Sequence, residues 1–447
     1  MRDPRDIIDN ESMSALQWVI IFLTVFMNAM DGFDVQAISV SGRGIREEFG
    51  ISDTELGFVL SMELIGMAFG SILLGGVADK IGRRAMMLWC MAFMTAGMFL
   101  ASVSGSVVML SIWRVITGVG IGGMLSTINA TAAEFSNKKQ RALCISLMVI
   151  GYPIGGIACG MFGQNFLDAG ATNWRDMFTY GAILSGILVP LIYFFIPESV
   201  HWLTRKQPAN VLERVNHSLK KLGHSVVDAM PQLHETTKKS SVLDIFSRKM
   251  TPTTLIVAGS YFMMITAFYF VVKWAPTLVA DMGFPASSAA GVLTWAFVGG
   301  TLGGIVFGLF SIKFNLKRLT LIMLVLTTIG TALFGRSEPD LAILSFWAAF
   351  AVFFSNAAIS GLYATAARVF PTYLRATGTG FMIGFGRGGA VLAPIVAGVL
   401  LDAGISMASI ALIMGLNALV AAFILMFLNM RYGDDVEKDA QAGEAKA

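Results

Sequence analysis

Twelve apolar runs of about 20 residues leave this chain few folds to choose from. They lie near 16–40, 56–77, 85–104, 107–131, 142–166 and 177–196, then near 253–273, 288–310, 318–335, 341–364, 376–401 and 406–430. A helix of about 20 apolar residues spans the hydrocarbon core of a bilayer. Within that core the backbone must satisfy its own polar groups. The 447 residues are 55% hydrophobic and only 14% charged, with a mean hydropathy of +0.70; soluble domains carry about a quarter charged residues. The chain reads as an all-α membrane protein with twelve transmembrane helices in two six-helix bundles. The expected division is 1–196 for the first bundle, 197–251 for a cytoplasmic linker, 252–430 for the second bundle and 431–447 for a polar, Ala-rich, disordered tail. One or two short surface helices, such as Pro208 to Leu222, are expected in the linker.

With the N-terminus inside, 25 of the 32 Lys and Arg fall on the inner side, and Arg43, Arg46, Arg175 and Arg336 fall in outer loops. That asymmetry places both termini and the long loop in the cytoplasm, in a bacterial inner membrane. The first run has no short apolar stretch ending in a small-residue cleavage site, so it is expected to be kept as a span. No basic patch suits nucleic acid. Cys90, Cys144 and Cys159 lie in apolar runs without metal or CxxC spacing and read as packing residues. All four histidines fall between 201 and 234, so none is a proton relay inside the membrane. No nucleophile–base pair or metal cluster suggests an enzyme.

Inside the first run, Asn28-Ala-Met-Asp-Gly-Phe-Asp-Val-Gln-Ala-Ile-Ser39 carries two carboxylates. An acid at membrane depth costs about 2.5–3.5 kcal/mol on an insertion scale. Asp31 and Asp34, three residues apart, share a helix face, and the apolar continuation Val35 to Val40 keeps them within the span. Such a face suits protonation, ion coupling or a buried cation. Arg114, about seven residues into the fourth run, either pairs with Asp31 or Asp34 or only braces spans one and four. Arg387 lies about 11 residues into the eleventh run, roughly 17 Å deep and near the middle of a ~30 Å core. Its guanidinium suits a carboxylate held by two parallel hydrogen bonds, among glycines that leave room for a flat ring. The other reading is an ion pair with Asp31 or Asp34. Glu63, in the second run, is a further proton site or, more simply, a partner of nearby backbone. Lys273 reads as a side chain snorkelling at the outer end of span seven. Phe33, Tyr152, Tyr269, Phe270, Trp295 and Asn356 are candidates to line a site for an aromatic ring.

The halves echo each other at an offset near 233 residues: Gly75-Gly-Val-Ala-Asp-Lys-Ile-Gly-Arg-Arg84 against Gly308-Leu-Phe-Ser-Ile-Lys-Phe-Asn-Leu-Lys317. A repeated six-span unit implies two bundles rocking about a midplane site. GGVADKIGRR (75–84) resembles the loop 2–3 signature of the major facilitator superfamily. Arg114-Val-Ile-Thr-Gly-Val-Gly-Ile-Gly-Gly123 resembles its fourth-span motif, and PESVHWL (197–203) the motif closing its sixth span. With Asp31-Gly-Phe-Asp34, the chain resembles the aromatic acid:proton symporter branch, whose members import benzoate-type and hydroxybenzoate-type carboxylates. The resemblance ties Arg114 to proton coupling through a first-helix acid. It departs in the second loop copy, which lacks the acid and the first Arg, and before FPTYLR (370–375), where Arg368 stands in place of an acid while Glu134 is kept in the first half.

The expected roles are proton coupling by Asp31, Asp34 and Arg114, and substrate contacts from Arg387, Asp34, Tyr152, Trp295 and Asn356. A gate is expected from Asp79, Arg83, Arg84, Glu134 and Arg375, with Asp79 pairing a cation of the other bundle; the bland reading of that loop is a solvated, orientation-setting one. The expected activity is proton-coupled import of an aromatic carboxylate by a monomer, without a cofactor, driven by the proton gradient. Its partners are the carboxylate, protons and membrane lipid. The alternatives are import of a non-aromatic acid such as a dicarboxylate, efflux, and a transport-dead sensor.

Overall fold

A computed structural model describes residues 3–166, 174–231, 242–371 and 374–430; the expected disordered tail lies outside the described residues. Apart from a 3-10 turn at Val242–Phe246, the regular elements are α-helices: α1 (Pro4–Asn10), α2 (Ala15–Phe49), α3 (Asp53–Ile81), α4 (Arg83–Ser102), α5 (Val107–Glu134), α6 (Arg141–Phe166), α7 (Arg175–Phe195), α8 (Val200–Lys206), α9 (Val211–Leu222), α10 (Thr251–Asp281), α11 (Ala286–Ser311), α12 (Leu316–Arg336), α13 (Leu341–Val369), α14 (Arg375–Asp402) and α15 (Met407–Met426). Twelve of them, α2–α7 and α10–α15, are long and apolar enough to cross a membrane. Large apolar side chains such as Phe22, Ile72, Phe194 and Phe423 are exposed, as lipid-facing positions require. The chain is a multi-pass membrane protein.

Helix ends follow local chemistry. α2 continues past Val40 to Phe49 and stops at Gly50, whose φ of 61° is left-handed. Ser52 and Glu55 then cap α3 reciprocally, the Ser52 N–H donating to Glu55 Oε2 at 2.9 Å and the Glu55 N–H to Ser52 Oγ at 3.2 Å. Arg43 and Arg46 therefore belong to a helix and not to an outer loop. α10 likewise runs on to Asp281, which leaves Lys273 eight residues inside it and fully buried; it does not snorkel.

The chain forms two compact units. The first takes Met1–Ile38, Met62–Cys159 and Asn173–Thr236, and the second Ser39–Ser61, Gly160–Thr172 and Thr237–Ala447. In the first, α3 and α5 approach along a seam of glycines. A Cβ on Gly66 or Gly70 would strike the carbonyl of Val115 or Val119, and one on Gly118 or Gly122 that of Glu63 or Met67. Small residues one turn apart let helix backbones touch in this way. Gly118→Leu is expected to wedge the seam open and to lower the unfolding midpoint of the solubilised protein by the equivalent of about 1–3 kcal/mol. Gly105→Ala, in open space, should leave that midpoint in place.

The loop after α7 is folded onto the first unit. Trp202 Nε1 donates to the Asp79 carbonyl (3.0 Å) and Ser218 Oγ to the Glu198 carbonyl (3.0 Å), while His224 Nδ1 lies 2.8 Å from Glu11 Oε2. α1, with Ile7 and Ile8 buried, is tied in by Arg141 to Asp9 at 2.5 Å.

In the second unit α10 packs on α14 and α15, α11 on α13, and α12 on α13 and α15. The end of α2 and the start of α3 join it through Arg46, which pairs with Asp53 at 2.5 Å and with Asp281. Asp402 accepts from the Asp53 and Thr54 N–H groups at 3.0 and 2.8 Å.

Candidate functional site

In the first unit the site begins with charges that no water reaches. Asp31 and Asp34 on α2, Glu63 on α3 and Arg114 on α5 are all buried. Arg114 Nη1 donates to Asp34 Oδ1 at 2.5 Å, and Nη2 donates to the Asp34 carbonyl at 3.1 Å and also to Glu63 Oε2. The guanidinium lies over the Phe178 ring, 5.1 Å from its centroid. The glycine seam explains the reach: Gly66 and Gly118 lie within one turn of Glu63 and Arg114, so the two helices are close enough for a direct ion pair. Arg114 thus pairs with Asp34, of the two acids left open by the sequence. The simpler expectation for Glu63, a bond to nearby backbone, gives way to an ion pair. Asp31 lies one turn earlier on α2. Phe33 is buried and Tyr152, on α6, half-buried. A Cβ on Gly32 would strike the Tyr152 carbonyl, so α2 and α6 touch beside the acids.

A second charged group sits at the start of α4. Arg83 bonds Asp79 at 2.9 Å and Glu134 at 3.1 Å, and Asp79 also takes Arg205 at 2.8 Å. Arg84 donates to the Tyr193 carbonyl at 2.7 Å. Glu198 accepts from the Arg83 and Arg84 N–H groups at 2.8 and 3.3 Å, a side-chain cap on α4. Burial pushes the Glu198 carboxyl up, against the pull of the Ser199, Arg84 and Arg83 N–H groups. Ser199 Oγ donates to Glu134. Asp79, Arg83, Arg84 and Glu134 are brought together, and the two cations on Asp79 come from its own unit. Arg375, in the second unit, is exposed.

In the second unit Arg387 on α14 is half-buried, and its Nη1 is a buried atom with no hydrogen-bonding partner among the described residues. The same unit holds two paired tyrosines, Tyr261 on α10 and Tyr363 on α13. Their hydroxyls are 2.9 Å apart and their rings 5.6 Å apart at 34°. Gly386 makes room for Tyr261, since a Cβ there would run into the ring. The tyrosine pair escaped the sequence reading; its one signal was a phenol at similar depth in each of two spans. Asn356, half-buried, lies against Gly300, where a Cβ would meet its amide nitrogen. Trp295 is not a buried ring contact. It is 56% exposed and lines an open groove of about 520 Å3 with Gln164, Ser288 and Phe346. The buried face of α11 runs through Val292, Ala296, Gly299 and Gly303, and position 295 stands at the edge of that face, about 60° round the helix from Val292. Among the described residues no three His, Cys, Asp or Glu side chains are grouped as a metal site needs.

Comparison with known proteins bears on this geometry. The sequence model of the Major Facilitator Superfamily matches residues 21–302 and 257–446. The chain is 28% identical over 431 residues to a gallate transporter of Pseudomonas putida, covering 95% of this chain and 94% of that one. It is 29% identical over 408 residues to a benzoate transport protein of Acinetobacter baylyi, covering 88% and 86%. Among solved structures, a D-xylose-proton symporter superposes with a TM-score of 0.72 at 18% identity, over 93% of this chain and 99% of that one; at that identity the likeness concerns the fold.

Proposed function

Because the chain belongs to the Major Facilitator Superfamily, we propose that it is a proton-coupled importer of an aromatic carboxylate in a bacterial inner membrane, with both termini cytoplasmic. The observation that carries this reading is the contrast between its two intramembrane arginines. Arg114 spends both of its Nη groups on Asp34 and Glu63, whereas the Arg387 Nη1 meets no partner among the described residues, in a unit that also holds the Tyr261–Tyr363 pair. A guanidinium with free donors next to aromatic rings suits a carboxylate on a flat ring. The gallate and benzoate transporters named above support that substrate class.

In this reading Arg387 takes the carboxylate, with Asn356 of the same unit bordering the ring. Asp31, Asp34 and Arg114 couple the proton. Asp79, Arg83, Arg84, Glu134 and Arg375 serve the cytoplasmic gate. The monomer needs no cofactor, because the proton gradient drives it. Import of an anion opposes an inside-negative potential worth about 2.3 kcal/mol per charge per 100 mV. One proton makes the transported set neutral, and two make it electrogenic.

Whole cells given a panel of benzoates and hydroxybenzoates, with dicarboxylates beside them, test the proposal. Uptake of at least one aromatic acid, abolished by a protonophore, is expected. Uptake of dicarboxylates alone, or aromatic uptake indifferent to the protonophore, would overturn it. Outward movement under an inward pH gradient would reverse the direction assigned.

A further inference from the structure

We infer that Arg84 and Lys221 form a site for the phosphate of an anionic phospholipid, at the membrane surface where α4 begins and α7 ends. Its residues all belong to the first unit, and the inference holds whichever solute the chain carries.

The site is built on a helix end. α7 stops at Phe195, and its last carbonyls have no partner within the helix. Two cations from other parts of the sequence reach them. Arg84, in the first turn of α4, donates from Nη2 to the Tyr193 carbonyl at 2.7 Å and lies over the Tyr193 ring, 4.8 Å from its centroid. Lys221, in the last turn of α9, donates to the Phe194 carbonyl at 2.6 Å. α9 is anchored by its apolar face, with Val215, Leu219 and Leu222 buried, so Lys221 is presented from a fixed helix. Because they bond consecutive carbonyls, the two cations are neighbours. Burial, and after it the Arg84 charge, push the Lys221 ammonium down.

Capping the carbonyls is the simpler use of these cations, but it falls short in charge and in acceptors. A helix C-terminus carries about half a negative charge, against two full positive ones. Among the described residues the Arg84 guanidinium and the Lys221 ammonium each make a single hydrogen bond, although they hold several N–H groups apiece. The acids of this corner are engaged elsewhere. Asp79 and Glu134 take Arg83 and Arg205. Glu198 Oε1 accepts from the Arg83, Arg84 and Ser199 N–H groups, and Arg214 is the cation that bears on it. A phosphate supplies both missing parts, a full negative charge and several acceptor oxygens.

The setting makes the occupant a lipid. Tyr193, Phe194 and Phe195 are exposed at the end of a span, and aromatic rings gather at headgroup depth. A phosphodiester with acyl chains meets the cations with its head and the rings with its chains. A phosphate dissolved in water meets the cations alone. Lys and Arg close to a bilayer attract anionic lipid in this way.

The test uses the full chain in an uncharged detergent. It is titrated with phosphatidylglycerol or with phosphatidylcholine of the same chains, and the lipid retained per protein is read by native mass spectrometry. Wild type is expected to retain phosphatidylglycerol roughly tenfold or more over phosphatidylcholine. Lys221→Gln and Arg84→Gln should each cut that preference about fivefold, and the double variant should abolish it. Should Arg84→Gln not fold, Lys221→Gln decides alone. Lys313→Gln, which removes an exposed cation after α11, should keep the wild-type preference. Equal retention of the two lipids by wild type would overturn the inference. So would a preference untouched in Lys221→Gln, or one lost as fully in Lys313→Gln. Inorganic phosphate that displaces the lipid at equal concentration would overturn the lipid as occupant.

Discussion

Arg387→Ala is expected to abolish uptake of the aromatic carboxylate while the protein still inserts and folds. The side chain is half-buried and its Nη1 donates to nothing among the described residues, so truncation to Ala strands no protein acceptor. The loss falls on the ligand. A charged, two-pronged hydrogen bond to a carboxylate is worth about 3 kcal/mol, roughly a hundredfold in Kd. Arg387→Lys keeps the charge without the fork and should recover only part of that factor. Substrate binding to purified protein, read beside its unfolding midpoint, checks both variants. Normal binding in Arg387→Ala would remove this residue from the site.

The opposite pattern is expected at Arg114. Arg114→Met leaves Asp34 and Glu63 buried with no cation between them. Breaking a buried ion pair from one side costs about 3–5 kcal/mol, a large share of the about 5–15 kcal/mol that holds a typical domain folded. The variant should be lost from the membrane or melt far below wild type. Adding Asp34→Asn and Glu63→Gln removes the stranded charges and should return much of the stability, with no return of accumulation. Unfolding midpoints of the single and triple variants decide the matter: a single variant as stable as wild type would mean that the three side chains are not balanced against one another.

Much of this architecture is legible in one dimension because a bilayer imposes one length on every span. Hydropathy alone located all twelve crossing helices. Their ends were harder, since ends depend on caps and not on hydropathy. Gly50 and the Ser52–Glu55 box mark the α2–α3 turn plainly, yet an apolar count stops nine residues early and so sends Arg43 and Arg46 into a loop. Lys273 was misplaced for the same reason. Asp31, Asp34, Arg114 and Arg387 stood out because charge is conspicuous in apolar surroundings. Which of the two acids Arg114 takes was hidden, because pairing depends on how one helix is rotated against the next. Glycines at 66 and 118 carry the information that draws Glu63 to Arg114, but nothing in a single chain says which glycine faces which helix. The exposure of Trp295 and the Tyr261–Tyr363 contact depend on the same rotation.

The mechanics of α2 follow from a feature of its course. Neither α2 nor α3 contains proline, whereas α6, α7, α10 and α14 each do. α2 is thus a stiff rod that crosses from one unit to the other at Ile38. The part beyond Ile38 is about 16 Å long, and the part back to Asp34 about 6 Å, at 1.5 Å per residue. A tilt of about 5° about that crossing sweeps the far tip by roughly 1.4 Å and Asp34 by about 0.5 Å, the difference between a good hydrogen bond and a poor one. The rod is a lever with unequal arms, and its short arm ends on the carboxylate that steadies Arg114.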